Sequence, residues 1–430
     1  MPYTPNRWFK AQPRILTAAQ GMYYTSEDGR QILDAAAGMW CVNAGHAQPR
    51  ITRAIQDAAA QLDYATCYQA GHPKAFEAAQ TLCGMMPGVF NHVFFSNSGS
   101  EAVDTALKIA LNYHYLRGEG QRTRLIGRQR AYHGVGFGGI SVGGLYYNRK
   151  KFGPLLPGVD HLPHTHELEH TAFSKGQPEW GAHKADALEE ILALHGPETV
   201  AAVIVEPIAG STGVFPPPRD YLERLRAITA KHGIFLIFDE VVTGFGRMGK
   251  ASYAEYSGII PDMICTAKGM TNAAVPMGGT FVQDYIYELF MDRGGPETEM
   301  EFFHGYTYSG HPLAAAAAIA TAETYRDEGI FENATRMAPL WEEALHRLRD
   351  APHVIDIRNM GILGGIELAP RDDRDPSARA RECYLECYHN QNVLPRYVGN
   401  SVVFSPPLIL QEEHIEKIVL AVEASLSKIH

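Results

Sequence analysis

The 430-residue sequence predicts an α/β fold: a large domain on a central, mostly parallel sheet, plus a small α+β domain to which both termini contribute. Three observations carry that expectation. Short apolar runs alternate with amphipathic stretches through the middle of the chain, the pattern of a sheet covered by helices. The two ends differ, mixing a hairpin-like segment with strands and helices. The length also exceeds what one hydrophobic core usually serves.

In chain order, Met22–Ala35 resembles a hairpin with Glu27-Asp28-Gly29 at its turn. Strands are expected at His92–Phe95, Arg124–Gly127, Val200–Val205, Ile234–Asp239 and Met263–Thr266, each a compact apolar run. Helices are expected at Ser100–Arg117 and Arg219–His232. The alanine-rich stretch Ala314–Ala322, after Pro312, reads as a helix packed inside the protein. Val354–Leu368, a helix near Pro376–Gln391, strands near Val393 and Val402 and a closing helix Glu412–Lys428 complete the terminal unit. The large domain is therefore placed at 51–311 and the small one at 1–50 with 312–430.

With 38 Lys+Arg against 48 Asp+Glu, the net charge of −10 argues against a nucleic-acid binder. It leaves room for one small anionic ligand held by local dipoles. Six cysteines (41, 67, 83, 265, 383 and 387) without a CxxC pair form no disulfide framework, so a reducing, cytoplasmic setting is expected. MPYTPNRWFKAQPRIL has no continuous apolar core, and no run of 18 apolar residues occurs anywhere. Neither a targeting peptide nor a membrane span is expected.

Gly134–Gly139 and Gly244–Gly249 both match GxGxxG, which in dinucleotide folds needs a preceding strand, a following helix and an acid about 20 residues on. Behind the first, Ile140–Tyr147 reads as glycine-rich and strand-like. Behind the second, Pro261 and Asp262 interrupt the unit. Both are expected to be plain glycine loops. His166-Glu-Leu-Glu-His170 matches the HExxH of zinc proteases, but only Leu168 could anchor a helix there. A solvated loop without metal is expected.

One constellation fits a single chemistry. Ser96-Asn-Ser-Gly-Ser-Glu101 links a predicted strand to a predicted helix, so free N–H groups and the helix dipole make an anion cup at Ser98, Gly99 and Ser100. Ser98 also suits an ordinary helix N-cap. The apolar run Ile234–Asp239 ends in two acids, Asp239 and Glu240, where open α/β sheets hold their ligands. A second apolar run, from Asp262, ends in Lys268, 29 residues after Asp239. Cup, acid and lysine are what pyridoxal 5′-phosphate (PLP) requires for its phosphate, ring nitrogen and aldehyde.

Through Asp239-Glu-Val-Val-Thr-Gly-Phe-Gly-Arg-Met-Gly249, Lys268 in TAKGMTNAAVPMGG, and NSGSEAVDTALK, the sequence resembles the class III aminotransferases of PLP fold type I. The resemblance spans nearly the whole chain. Within the class it is to the omega-amino acid–pyruvate (beta-alanine–pyruvate) aminotransferases, matched also by GMWCVNAGH, YNRKKFGPLLPGVDHLPHT, HGYTYSGHP and VIDIRNMG.

The resemblance implies that Lys268 forms the Schiff base and shuttles the substrate proton, while Asp239 pairs with the ring nitrogen. Val241 and Tyr132 would cover the two ring faces, and Gly99 and Ser100 would hold the phosphate. Thr307 would reach the phosphate of a neighbouring subunit's cofactor, implying a homodimer or tetramer. Glu206 matches an active-site glutamate, and His133 would shape the turn beside Tyr132. Trp40 matches an aromatic wall of the substrate pocket, and Arg396 the mobile arginine that binds a keto acid's carboxylate. The implied reaction is ping-pong transfer of an amino group from an omega-amino acid or amine to pyruvate. The alternatives are a decarboxylase or racemase with the same cofactor, and a non-catalytic or zinc-dependent protein.

Overall fold

A computed structural model describes residues 1–371 and 375–430. Its strands, in chain order, are β1 (Leu16–Gln20), β2 (Tyr23–Ser26), β3 (Gln31–Asp34), β4 (His92–Ser96), β5 (Arg124–Arg128), β6 (Val159–Leu162), β7 (Val200–Val205) and β8 (Phe235–Asp239). They continue with β9 (Met263–Thr266), β10 (Gly278–Val282), β11 (Val354–Met360), β12 (Leu363–Leu368), β13 (Val393–Leu394), β14 (Arg396–Val398) and β15 (Ser401–Phe404). The central sheet has the order β4-β10-β9-β8-β7-β5-β6. Only β10 runs against the others.

Side-chain alternation explains why the central runs are apolar throughout. Phe235 and Ile237 of β8 and Met263 and Cys265 of β9 pack into one layer with the helix Gly99–Leu116. Leu236, Phe238 and Ile264 belong to the layer on the other face. The helix Gly99–Leu116 starts sharply because Ser98 and Glu101 cap it reciprocally. Ser98 Oγ accepts the Glu101 N–H at 3.2 Å, and Glu101 Oε2 accepts the Asn97 N–H at 2.7 Å. The alanine-rich segment is the buried helix Pro312–Asp327, as expected.

The termini build two further sheets, β1-β2-β3-β13 and β11-β12-β15-β14. In the first, β13 joins β3 in parallel, setting Val393 beside Leu33 and Leu394 beside Asp34. The expected hairpin is present as β2 and β3.

Three local expectations need correction. Ile140–Tyr147 is not strand-like: Phe137–Val142 is a short helix and Tyr146–Arg149 a further turn. Its glycines serve packing, since a Cβ on Gly138 would stand 2.5 Å from Asp104 Oδ1, which already accepts the Gly139 N–H at 2.8 Å. That close approach overrides glycine's poor helix propensity.

Second, the stretch after Lys268 contains β10, with no strand read there from sequence. A Cβ on Gly278 would meet Ser98 O at 2.4 Å, so the strand needs the residue that usually signals a turn. Third, His166-Glu-Leu-Glu-His170 is exposed over residues 167–170, as expected, but it is not all loop and His166 itself is largely covered. It holds one helical turn, Leu168–Thr171. His164 and His166 are packed on Phe215, each ring 4.8 Å away, and His170 stacks on Trp180 at 4.4 Å.

Candidate active site

The strands that share one direction end along one edge of the sheet, where parallel α/β sheets place ligands. There a cleft of about 150 Å³ opens between the loops after β4, β5, β7, β8 and β9. Gly99, Ser100, Tyr132, Glu206, Asp239, Val241 and Lys268, all singled out from sequence, line it together.

At one end the N–H groups of Gly99 and Ser100 precede the helix's own hydrogen-bond ladder and are free for an anion. Ser100 Oγ accepts the Val135 N–H at 3.2 Å, leaving its hydroxyl hydrogen to donate. Two glycines let the walls approach this closely. A Cβ on Gly99 would lie 2.8 Å from Val241 Cγ2, and one on Gly134 only 2.5 Å from Ser100 Oγ. Gly134 also has a φ of +92°, which side chains disfavour.

Asp239 closes β8, nearly buried at 5% exposure. Its Oδ2 lies 2.8 Å from His133 Nδ1 and its Oδ1 accepts the Val241 N–H at 3.2 Å. His133 is thus more than a turn residue; its buried Nε2 has no partner among the described residues. Alternation along the strand end separates the two adjacent acids. Glu240 accepts the N–H of Tyr253, that of Ala254 at 3.0 Å and the Thr243 hydroxyl at 3.2 Å, holding the start of the helix Tyr253–Ser257. Burial pushes both Glu240 and Glu206 up to about 7. Glu206 Oε1 accepts the Tyr132 N–H at 2.9 Å.

Lys268 follows β9 with a left-handed φ of 50°. Burial drives its amine down to about 8; Arg396 adds to that, while Cys41, Asp239 and Glu206 oppose it. Its Nζ lies 5.2 Å from the centre of the Trp40 ring, and Arg396 Cζ lies 4.7 Å from the same ring. Arg396 Nε is buried without a partner among the described residues, and its Nη1 faces the sulfur of Met39. Thr307 stands apart, exposed on the surface, its carbonyl accepting the Tyr64 hydroxyl at 2.9 Å.

Sequence reasoning missed the residues that pin the Trp40 segment to the loop after β8 and to the Lys268 loop. Asn43 Nδ2 donates to Phe245 O at 2.7 Å and Asn43 Oδ1 accepts from Arg247 Nη2 at 2.6 Å. Asn272 Oδ1 accepts the Ala44 N–H, and Asn272 Nδ2 donates to Gly45 O, both at 2.8 Å. Asn43 sits inside GMWCVNAGH and Asn272 inside TAKGMTNAAVPMGG, but their spacing carries no signal of its own.

The donor atoms of His166, Asp356 and Glu367 lie within 4.8 Å of one another, a geometry that could hold a cation. Arg358 already fills that role: its Nη1 bridges both carboxylates, Nε and Nη2 donate to Gly213 O at 3.1 and 3.0 Å, and Nη2 donates to Ser401 Oγ at 3.1 Å. Burial and the neighbouring guanidinium hold His166 well below the usual histidine range.

The model of the family "Aminotransferase class-III" matches residues 5–426. The chain belongs to the class III aminotransferases. It is 56% identical to an omega-aminotransferase of Caulobacter vibrioides, covering 100% of this chain and 97% of that protein. It is 44% identical to a beta-alanine–pyruvate aminotransferase of Pseudomonas aeruginosa, covering 100% and 95%. Among solved structures, a PLP-bound amine transaminase from an uncultivated Pseudomonas species matches with a TM-score of 0.91 at 35% identity, covering 100% of this chain and 97% of that one.

PLP is the cofactor of this class III aminotransferase. The cleft fits it: the cradle at Gly99 and Gly134 is one that a Cβ would fill, with a buried carboxylate and a lysine amine beside it. No helix of the described residues is long and apolar enough to cross a membrane.

Proposed function

We propose that this class III aminotransferase carries the amino group of an omega-amino acid such as beta-alanine, or of an uncharged amine, to pyruvate, giving alanine. One observation supports this reading above the others. Arg396, with a buried unpartnered Nε and only a thioether against Nη1, stands beside Trp40 and Lys268 as a carboxylate receptor in want of a carboxylate. The names borne by the relatives point the same way.

Bound PLP supplies an aldehyde for the donor amine and a ring that takes up the electron pair left when a bond at the donor's Cα breaks. Gly99 and Ser100 hold the phosphate by N–H and hydroxyl donors. Asp239 keeps the ring nitrogen protonated, and His133 fixes that carboxylate in orientation. Val241 and Tyr132 confine the ring between them. Lys268 Nζ, with its weakened hold on protons, takes the proton from the donor Cα and returns one at the aldehyde-derived carbon. Arg396 binds the pyruvate carboxylate and swings off Trp40 to make room for uncharged donors. Trp40 walls the donor side.

Thr307, exposed on this protomer, serves the phosphate site of a partner subunit in a homodimer or tetramer. Residues 51–311 form the cofactor domain, and residues 1–50 with 312–430 the smaller one. The setting is cytoplasmic, in keeping with six free cysteines.

The test is a half-reaction: yellow holoenzyme mixed with beta-alanine, other omega-amino acids, amines and alpha-amino acids, followed at the aldehyde absorption band. Bleaching by omega donors and recovery with pyruvate are expected. Bleaching by alpha-amino acids alone overturns the donor class, and loss of carbon dioxide with the amino group kept on the product and no alanine formed overturns transamination.

A further inference from the structure

Trp40, the proposed wall of the donor side, stands at the end of a turn that its own sequence does not favour. Ala37, Gly38 and Trp40 all have left-handed φ values, of 45°, 64° and 58°. Only one of the three is glycine. The other two carry a strain that persists only where the surroundings hold it. The indole does not hold itself: Trp40 is 3% exposed, yet its Nε1 has no partner among the described residues. The position of the ring therefore follows from the backbone of residues 36–40.

Asp34 supplies the hold. It ends β3 and is fully buried, and among the described residues its ion-pairing partner is His46, with no lysine or arginine. A carboxylate taken out of water in this way is costly unless its oxygens are well bonded. Here both oxygens are spent on the turn. Oδ1 accepts the Ala36 N–H at 2.9 Å, while Oδ2 accepts the Gly38 N–H at 2.7 Å and lies 2.8 Å from His46 Nε2. His46 is fixed in turn, its ring 4.2 Å from that of Tyr24 and its backbone exchanging hydrogen bonds with Gly21 at 2.8 and 3.0 Å. Gly38 suits the crowding, since a Cβ there would stand 3.2 Å from Tyr24 Oη. From Ala36 the hold passes on: its carbonyl accepts the Trp40 N–H at 2.9 Å and the Ser405 hydroxyl at 3.0 Å. All of these contacts are made inside one protomer.

We propose that Asp34 is a positioning residue for the substrate pocket. Its carboxylate, steadied by His46, holds residues 36–40 in the strained turn that sets the Trp40 ring 5.2 Å from Lys268 Nζ and 4.7 Å from Arg396 Cζ. The inference rests on the reading that donor and pyruvate bind against these side chains. With the brace cut, the turn relaxes and the ring leaves its place between Lys268 and Arg396. Asp34→Asn cuts it at one point, because in either orientation the amide turns its NH2 group on one of the two backbone N–H groups. Loss of a hydrogen bond to a charged group shifts such an equilibrium by about ten- to a hundredfold.

The test compares the holoenzyme with its Asp34→Asn, His46→Leu and His46→Gln variants in two measurements. With 5-fluorotryptophan in place of Trp8, Trp40, Trp180 and Trp341, fluorine NMR gives each ring its own resonance, that of Trp40 being the one lost in Trp40→Phe. In Asp34→Asn the Trp40 line broadens or splits and the other three hold. His46→Leu does the same to a smaller degree, and His46→Gln, which still donates to the carboxylate, leaves the line unchanged. A Trp40 line untouched by both Asp34→Asn and His46→Leu overturns the brace, and so do four lines moving together. In steady-state kinetics, Asp34→Asn raises KM for beta-alanine and for pyruvate about five- to tenfold and changes kcat by less than about threefold. A fall in kcat at unchanged KM reports only a loss of folded enzyme and overturns the role in the pocket. If Asp34→Asn does not fold, His46→Leu decides by the same two readings. If the unaltered enzyme turns over neither beta-alanine nor an amine with pyruvate, the proposed function fails while the fluorine lines still decide the brace.

Discussion

Replacing Gly99 by Ala tests the cofactor cradle at its tightest point. The φ of Gly99 is not left-handed, so alanine strains no backbone, and at the first turn of a helix alanine is the better residue by up to about 1 kcal/mol. Any loss must therefore come from packing. The added methyl would stand 2.8 Å from Val241 Cγ2 and 3.0 Å from Cγ1, with Ala267 Cβ at 3.5 Å behind. Carbon atoms rest at about 3.5 Å or more, so the helix start and the Val241 loop must part by about 0.7 Å.

Those two elements are the proposed phosphate cup and ring face. A displacement of that size costs about 1–3 kcal/mol in stability. It also weakens PLP binding to the cofactor-free enzyme about tenfold and lowers kcat/KM by about 10–100-fold. Absorbance titration with PLP and steady-state kinetics measure both. Val241→Ala removes the obstructing methyls, so in that background Gly99→Ala costs less than about twofold. Equal losses in both backgrounds, or none in either, would refute the cradle.

Lys268→Ala abolishes turnover, by about 10⁴-fold or more, and removes the pH-insensitive yellow absorption of the lysine-bound cofactor, read by rapid kinetics and spectroscopy. Asp239→Asn lowers kcat by about 10²–10³-fold with little change in melting temperature, since it keeps the shape and loses the charge. Capture of PLP by the cofactor-free enzyme follows the free amine of Lys268, whose proton affinity is lowered. The rate therefore rises with pH, has its midpoint near about 8 and levels above it, whereas a midpoint near 10.5 would restore an ordinary lysine. Arg358→Met strands the Asp356 and Glu367 carboxyls and costs about 3–5 kcal/mol in denaturant unfolding; adding Asp356→Asn and Glu367→Gln recovers most of it.

The centre of the fold was legible because buried parallel strands leave unbroken apolar runs. Val200–Val205 and Met263–Thr266 are strands with the bounds read from sequence. The cleft's lysine and acid were legible for the same reason, each being the polar full stop of such a run. β10 was hidden because its close pass over Ser98 demands Gly278, and glycine in sequence signals a turn. His166 was misread because its burial depends on Phe215 and Asp356, residues far along the chain, and local polarity says nothing of them. The pairing of His133 with Asp239 lies beyond periodicity altogether: 106 residues separate them, and only the sheet brings them together.

The parallel pairing of β13 with β3 bears on how the chain is made. Arg30, just before β3, donates to Tyr388 O at 3.1 Å, 358 residues later. A ribosome adding about 5–20 residues per second needs roughly 20–70 s to supply that partner. Throughout synthesis of the central sheet, the edge of β3 away from β2 has no strand to pair with. The nascent chain thus carries an unpaired strand edge beside the Trp40 segment until Val393 and Leu394 have been made. A chain ending before Val393 therefore lacks the strand that completes the β1-β2-β3-β13 sheet, and its first strands keep an open edge.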